Sequence, residues 1–227
     1  MTFKDRQDAG RRLAAALTKY RAQHPVVLAL PRGGVPVAYE VARALAAPLD
    51  VIVVRKLGAP GQPELGIGAI ADGDHPQRVL NEDMVRMLSV SEAYLRRTVE
   101  RELEEINRRQ RLYRGGRPPI ALAGRTAIVV DDGIATGGSM RAALRGVRRA
   151  APQRLVLAVP VAPPETIESL REEVDDLICL SVPAFFSAVG QFYDDFRQTT
   201  DDEVVRLLDR ACMEYASAGD IAATAAS

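Results

Sequence analysis

Residues 127–140 read Ala127-Ile128-Val129-Val130-Asp131-Asp132-Gly133-Ile134-Ala135-Thr136-Gly137-Gly138-Ser139-Met140, and the order of these residue types sets the expected fold. An apolar, β-branched run suits a buried strand. It ends in two adjacent carboxylates, Asp131 and Asp132. A tight turn of small and hydroxyl-bearing residues follows, and a helical pattern starts at Met140. A strand that turns directly into a helix leaves backbone N–H groups open at the helix N-terminus, where an anion is favoured. Carboxylates accept hydrogen bonds from sugar hydroxyls, and the turn donates to a phosphoryl group. A phosphorylated ribose carries both partners.

The sequence on either side alternates strand and helix. Val26 to Leu30 and Val51 to Val54 are continuous apolar runs, the pattern of strands buried on both faces. Ile128 to Val130, Leu155 to Val161 and Leu177 to Leu180 are the later strands. Helical periodicity predicts helices over Asp5 to Tyr20, Val35 to Ala46, Met140 to Arg149, Pro164 to Glu172 and Asp201 to Tyr215. Repeated β-α-β units imply an α/β fold with a mostly parallel central sheet flanked by helices. Ligands of such sheets bind beyond the carboxyl ends of the strands, which is where the Asp pair falls. Leu65 to Ala71 is glycine-broken and is expected to pair with Arg78 to Leu80 as a hairpin across Asp72-Gly73-Asp74.

Asn81 to Arg114 departs from the alternation as a charged helical insertion. Leu95, Val99, Leu103, Ile106, Gln110 and Tyr113 step at helical spacing, and Arg and Glu residues fill the other faces. Mixed charges at that spacing read as a solvated face, with a dimer arm or a lid as the alternatives. The tail 216–227 is small and polar and is expected to be disordered.

Two further motifs end buried strands. In Leu30-Pro31-Arg32-Gly33-Gly34-Val35-Pro36 the glycines let the backbone approach an anion while the helix N-terminus faces it. In Val53-Val54-Arg55-Lys56-Leu57-Gly58-Ala59-Pro60-Gly61-Gln62-Pro63-Glu64 two cations precede a Gly/Pro-rich stretch read as a flexible loop over residues 57–64. Cations there can neutralise a phosphoryl leaving group, although neighbours on a strand point to opposite faces, so Arg55 and Lys56 need not both do so.

The Asp131 to Ser139 segment resembles the loop of the type I phosphoribosyltransferases that binds 5-phosphoribosyl 1-pyrophosphate (PRPP), with Gly133 in place of the usual first apolar residue. The resemblance implies a type I phosphoribosyltransferase domain over 1–215 with a small hood at 181–200, while the helical insertion at 81–114 falls outside the familiar subfamilies. It implies that Asp131 and Asp132 act at the ribose 2′- and 3′-hydroxyls, with water-mediated help in holding Mg²⁺. Ala135, Thr136, Gly137, Gly138 and Ser139 would wrap the 5′-phosphate. Arg32, Gly33 and Gly34 match the pyrophosphate loop, often shaped by a non-proline cis peptide, and Arg55-Lys56 is similar to the cationic strand end of adenine enzymes.

The implied activity is transfer of 5-phosphoribose to a nitrogenous base with release of pyrophosphate. A PRPP- or nucleotide-binding sensor without turnover is the alternative. Ala135 stands where hypoxanthine-guanine enzymes carry an Asp, so the loop is closest to the adenine type. The usual adenine-enzyme Glu has no clean match; Asp72 and Glu82 are the nearby carboxylates. The aromatic stretch Pro183 to Arg197 is the expected hood, and Phe192 and Tyr193 are the candidates for stacking on a base, with core packing as the alternative.

Composition narrows the class. Lys+Arg and Asp+Glu are both 30, giving zero net charge, so no global basic field draws nucleic acid. A hydrophobic fraction of 47% in 227 residues fills a core. Cys179 and Cys212 show no metal-ligand spacing. The charged N-terminus has no apolar signal core, and no run approaches the ~18–20 apolar residues of a membrane span, so a cytoplasmic protein is expected. A dinucleotide-binding domain is disfavoured, because no Gly-x-Gly-x-x-Gly turn follows the first strand. His24 and His75 lie beside prolines at a strand entrance and in a surface turn and read as structural or solvated.

Overall fold

The computed structural model describes residues 1–72 and 77–225. The continuous apolar runs form the middle of a sheet, as expected of strands covered on both sides. β1 (Val26–Ala29), β6 (Thr126–Val130) and β7 (Arg154–Val161) lie between β2 (Leu49–Val51) and β8 (Asp176–Ser181), in the order β2-β1-β6-β7-β8. All four pairings are parallel. Alternate residues serve opposite faces. Ile128 and Val130 face the layer of α1 (Arg6–Leu17), α2 (Gly34–Leu45), α4 (Glu92–Arg114) and α7 (Asp201–Ala225). Ala127 and Val129 face α5 (Gly138–Arg149) and α6 (Pro164–Leu170).

Register places the site. Ala29 is opposite Val130, and Leu30 N–H continues the ladder to the Val130 carbonyl at 3.0 Å. The turns after β1 and β6 therefore leave the sheet side by side. Ile134 N–H donates to the Val161 carbonyl at 3.0 Å, which brings in the end of β7.

The apolar run Val51 to Val54 is not one strand. It splits between β2, at the edge of the parallel sheet, and β3 (Val54–Ala59), which pairs antiparallel with β4 (Gln62–Ala71). An unbroken apolar run is equally compatible with two strands that leave the core in different directions. The expected loop at 57–64 is instead the closed end of this β3–β4 hairpin, with Ala59 opposite Gln62 and a turn at Gly61, φ 70°. The expected pairing of Leu65–Ala71 with the segment at Arg78–Leu80 is present, as β4 against β5 (Gln77–Leu80). The proposed turn at Gly73-Asp74 and His75 lie outside the described residues.

The insertion begins with α3 (Glu82–Met87) and continues as α4. Ser91 caps α4 by accepting from Tyr94 N–H. Leu95, Ile106 and Tyr113 are buried as the periodicity predicts. Gln110 instead donates to Asp72 at 2.7 Å. The charged side is not wholly solvated: Glu102 is buried, 2.9 Å from Arg55 Nε, and Tyr94 Oη donates to the Gly58 carbonyl at 3.0 Å. The helix grips β3.

Where a disordered tail is expected after Tyr215, α7 continues to Ala225. This segment is rich in Ala, the best helix former, and contains no Pro.

The hood is not built from the C-terminal half alone. Phe3 N–H donates to the Phe192 carbonyl at 2.8 Å, and Asp194 and Asp195 N–H donate to the Phe3 and Lys4 carbonyls at 2.9 Å each. Phe3, Ala9, Val161, Phe192 and Tyr193 form its small core.

Candidate functional site

Asp131 and Asp132 lie half-buried where β6 leaves the sheet. Asp131 Oδ1 accepts the Asp132 N–H at 2.8 Å, which closes the turn and aims the two carboxylates. Burial first, and then the neighbouring Asp132 charge, hold the Asp131 carboxyl well above the usual carboxylate range. Burial also raises Asp132, and Arg6 opposes the rise. The pair is thus short of positive charge or hydroxyl donors, which is what a sugar diol and a cation supply.

The Arg32-Gly33-Gly34 turn abuts the pair. A Cβ on Gly33 would overlap Asp132 Oδ2, and one on Gly34 would lie 2.9 Å from the Val130 carbonyl and 3.0 Å from Asp131 Oδ1. Both glycines are therefore required by the contact between the two turns. The Pro31–Arg32 peptide is cis, as the resemblance implies. Arg32 also reaches Asp201 at the start of α7, 3.7 Å away.

Ala135 to Ser139 wrap the start of α5. Gly137 has φ 76°, a conformation other residues rarely adopt, and serves as the N-cap. Thr166 Oγ1 donates to the Ala135 carbonyl at 2.5 Å, which ties the turn to α6. Gly133 is explained by the hood: a Cβ there would lie 2.5 Å from Val189 Cγ1 and 3.0 Å from Val161 Cγ1.

Arg55 and Lys56 separate as their strand alternation allows. Lys56 lines a cavity of about 640 Å³ with Thr136, Gly138, Ser139, Arg141 and Arg145, at the turn before α5. Arg55, its neighbour on the strand, pairs through Nε with Glu102 at 2.9 Å. The acidic partner comes from the insertion, 47 residues away, and no local signal announced it.

Phe192 and Tyr193 do not offer open faces. Phe192 stacks on Phe186, with ring centres 5.5 Å apart, and Tyr193 packs between Phe3 and Phe196. Tyr193 Oη donates to the Asp132 carbonyl at 2.5 Å. They build the hood rather than a stacking platform, while Phe185, 91% exposed, is its open aromatic. Asp72 is buried with Gln110 and Arg114 and belongs to the packing of the insertion. Glu82 sits on the exposed first turn of α3. His24 has φ 46°, and its carbonyl accepts from Arg125, so its role is in the backbone.

Sequence reasoning missed Arg6. Its Nε donates to Asp132 Oδ2 at 2.8 Å. Nothing in the segment MTFKDRQDAG links residue 6 to residue 132.

Residues 3–197 match the family model described as "Phosphoribosyl transferase domain". The chain belongs to this family. A Mycobacterium tuberculosis protein named "Putative phosphoribosyl transferase", found in two strains, is 50% identical over 223 residues, which is 98% of this chain and 50% of that protein. The chain therefore spans about half the length of the curated relatives it matches. The crystal structure of TT1426 from Thermus thermophilus superposes with a TM-score of 0.78 at 47% identity, covering 92% of this chain and 98% of that one. The phosphoribosyltransferase domain has the type I fold, with a parallel central sheet flanked by helices. Among the described residues, no helix is long and apolar enough to cross a membrane.

Proposed function

We propose that the chain is a phosphoribosyltransferase that moves 5-phosphoribose from PRPP to a nitrogenous base and releases pyrophosphate. One observation carries this: the Asp131–Asp132 pair meets the Gly33–Gly34 turn edge to edge, at the carboxyl ends of adjacent strands. Acceptors for a diol, a turn for the 5′-phosphate and a second turn for pyrophosphate then leave the same edge of the sheet side by side. As the C1–O bond breaks, the electron pair leaves with pyrophosphate and the sugar ring takes on positive charge. Aligned groups and fixed charges favour that step without covalent work by the protein. Lys56 shares a cavity with Thr136, Gly138 and Ser139, which supports a role for its ammonium toward a phosphoryl group there.

The acidic pair also fits Mg²⁺. Two hard carboxylates are too few for a complete protein-built cage, and among the described residues no group of three or more His, Cys, Asp or Glu could hold a metal. Mg²⁺ keeps waters and binds through one or two carboxylates together with substrate phosphates. When bound, it would draw charge from the pyrophosphate oxygens.

A sensor that binds PRPP or a nucleotide without turnover is the second reading, favoured by the closed packing of Phe192 and Tyr193. Incubating the protein with Mg²⁺, PRPP and a panel of bases while measuring pyrophosphate separates the two. Release with at least one base is expected. Binding of PRPP with no release across the panel supports the sensor, and no PRPP binding contradicts the transferase.

A further inference from the structure

Arg6 stands where the parts of the site meet, and its own helix gives no reason for it. It is the first residue of α1, the end at which a cation is disfavoured by the helix dipole. Its side chain is nevertheless only 12% exposed. Besides the Asp132 contact, an Nη1–H donates to the Arg197 carbonyl of the hood at 2.7 Å. The guanidinium carbon lies 3.9 Å from the centre of the Phe196 ring. The Gly33 turn closes another side, since a Cβ there would be 3.3 Å from Arg6 Nε. The backbone that carries Arg6 is fixed, because Ala9, Leu13 and Leu17 of α1 are buried in the core.

A carboxylate offers two oxygens and about four lone-pair sites. Arg6 engages Oδ2 of Asp132, which leaves Oδ1 to accept from a hydroxyl. The geometry points to Arg6 as a positioning residue for ligands bearing a vicinal diol: it sets the orientation of Asp132 and ties the hood residues Phe196 and Arg197 to that orientation. This rests on the proposed role of the acidic pair in holding the ribose diol. A guanidinium suits the task because its planar fork bonds in two directions while its face rests on an aromatic ring, which an ammonium does not reproduce. Arg6 acts through Asp132 and needs no contact with the sugar.

Calorimetric titration with ribose 5-phosphate and with 2,3-dideoxyribose 5-phosphate tests this, because the two probes share the phosphate and differ in the diol. The native chain is expected to prefer the diol sugar by about tenfold or more, the scale of a hydrogen bond to a charged group. Arg6→Gln is expected to bring the preference below about threefold by weakening ribose 5-phosphate alone, on the same scale. An Arg6→Gln protein that keeps the full preference, or that loses both sugars equally as a structural defect would, overturns the assignment. A native chain with no preference instead contradicts the diol role of the acidic pair itself. If Arg6→Gln does not melt cooperatively, Phe196→Leu decides: it removes the face on which the guanidinium rests and leaves both charges. Part of the preference should then be lost, and an unchanged preference overturns the role of Arg6.

Discussion

Gly133 shows how one atom ties the turn to the hood. The resembled pattern has an apolar residue there, but in this chain the space belongs to Val189. Gly133→Ala places a methyl 2.5 Å from Val189 Cγ1. Overpacking of this kind costs about 1–3 kcal/mol, so urea unfolding should show a loss in that range. An unchanged midpoint means that Val189 moves aside freely. Asp131 gives a second prediction at this scale, with a definite sign. Its folded carboxyl titrates well above 3.8, because burial and the Asp132 charge disfavour ionisation. The folded state therefore holds the proton more tightly than the unfolded one. That contribution to stability is present below about pH 3.8 and is lost as pH rises through the higher folded value. Asp131→Asn mimics the neutral form, so it should raise unfolding stability at pH 7 more than at pH 3. A gain that is equal at both pH values contradicts the burial argument. The residues of the two turns were legible because phosphate and diol binding demand particular residue types in a short contiguous run. Arg6, Phe192 and Tyr193 were not, because their roles depend on which distant chain they meet.

The segment 81–114 forms α3 and α4, and its side-chain partners were the least legible part of the sequence. Its periodicity gave α4 to within a few residues, and Ser91 marked its start. The buried Glu102 was invisible in a row of like side chains, because its partner Arg55 lies on another element. Glu102→Ala removes a buried carboxylate that Arg55 and Arg101 both engage. A stability loss of about 1–3 kcal/mol is expected, measured by chemical denaturation, with the hairpin of β3 and β4 loosened in hydrogen exchange. Equal protection of that hairpin in the variant means that α4 does not hold it. Glu105 lies on the same helix, and side-chain hydrogen bonds from Arg108 and Arg109 pull its carboxyl from 4.5 down to about 2. A depressed folded value means that its stabilising contribution is whole above about pH 4.5 and disappears as pH falls toward 2. Glu105→Gln should flatten that part of the acid limb, and an identical acid limb in the variant contradicts the pairing. The split of Val51–Val54 between two sheets was hidden for a related reason: hydrophobic pattern reports burial and does not say which sheet does the burying.

At the scale of the whole molecule, the parallel sheet brings three turns together without any of them being long. Register sets the Arg32–Gly34 turn beside the Asp131–Ser139 turn, and Ile134 joins the latter to the end of β7. The N-terminal segment then pairs with the hood, so the first and last thirds of the chain close over the same edge. This architecture was legible from alternating strand and helix, because crossover rules leave few topologies. The hood was not, since its packing uses aromatics that suit a stacking site equally well. The central claim is that the adjacent carboxylates grip the ribose of PRPP while the following turn holds its phosphate. Its most direct test is calorimetric titration of Mg²⁺·PRPP into the native chain and into Asp131→Asn/Asp132→Asn, with melting curves to confirm folding. Saturable binding by the native chain and none by the folded double variant is the result predicted. Equal affinity in both proteins would contradict it.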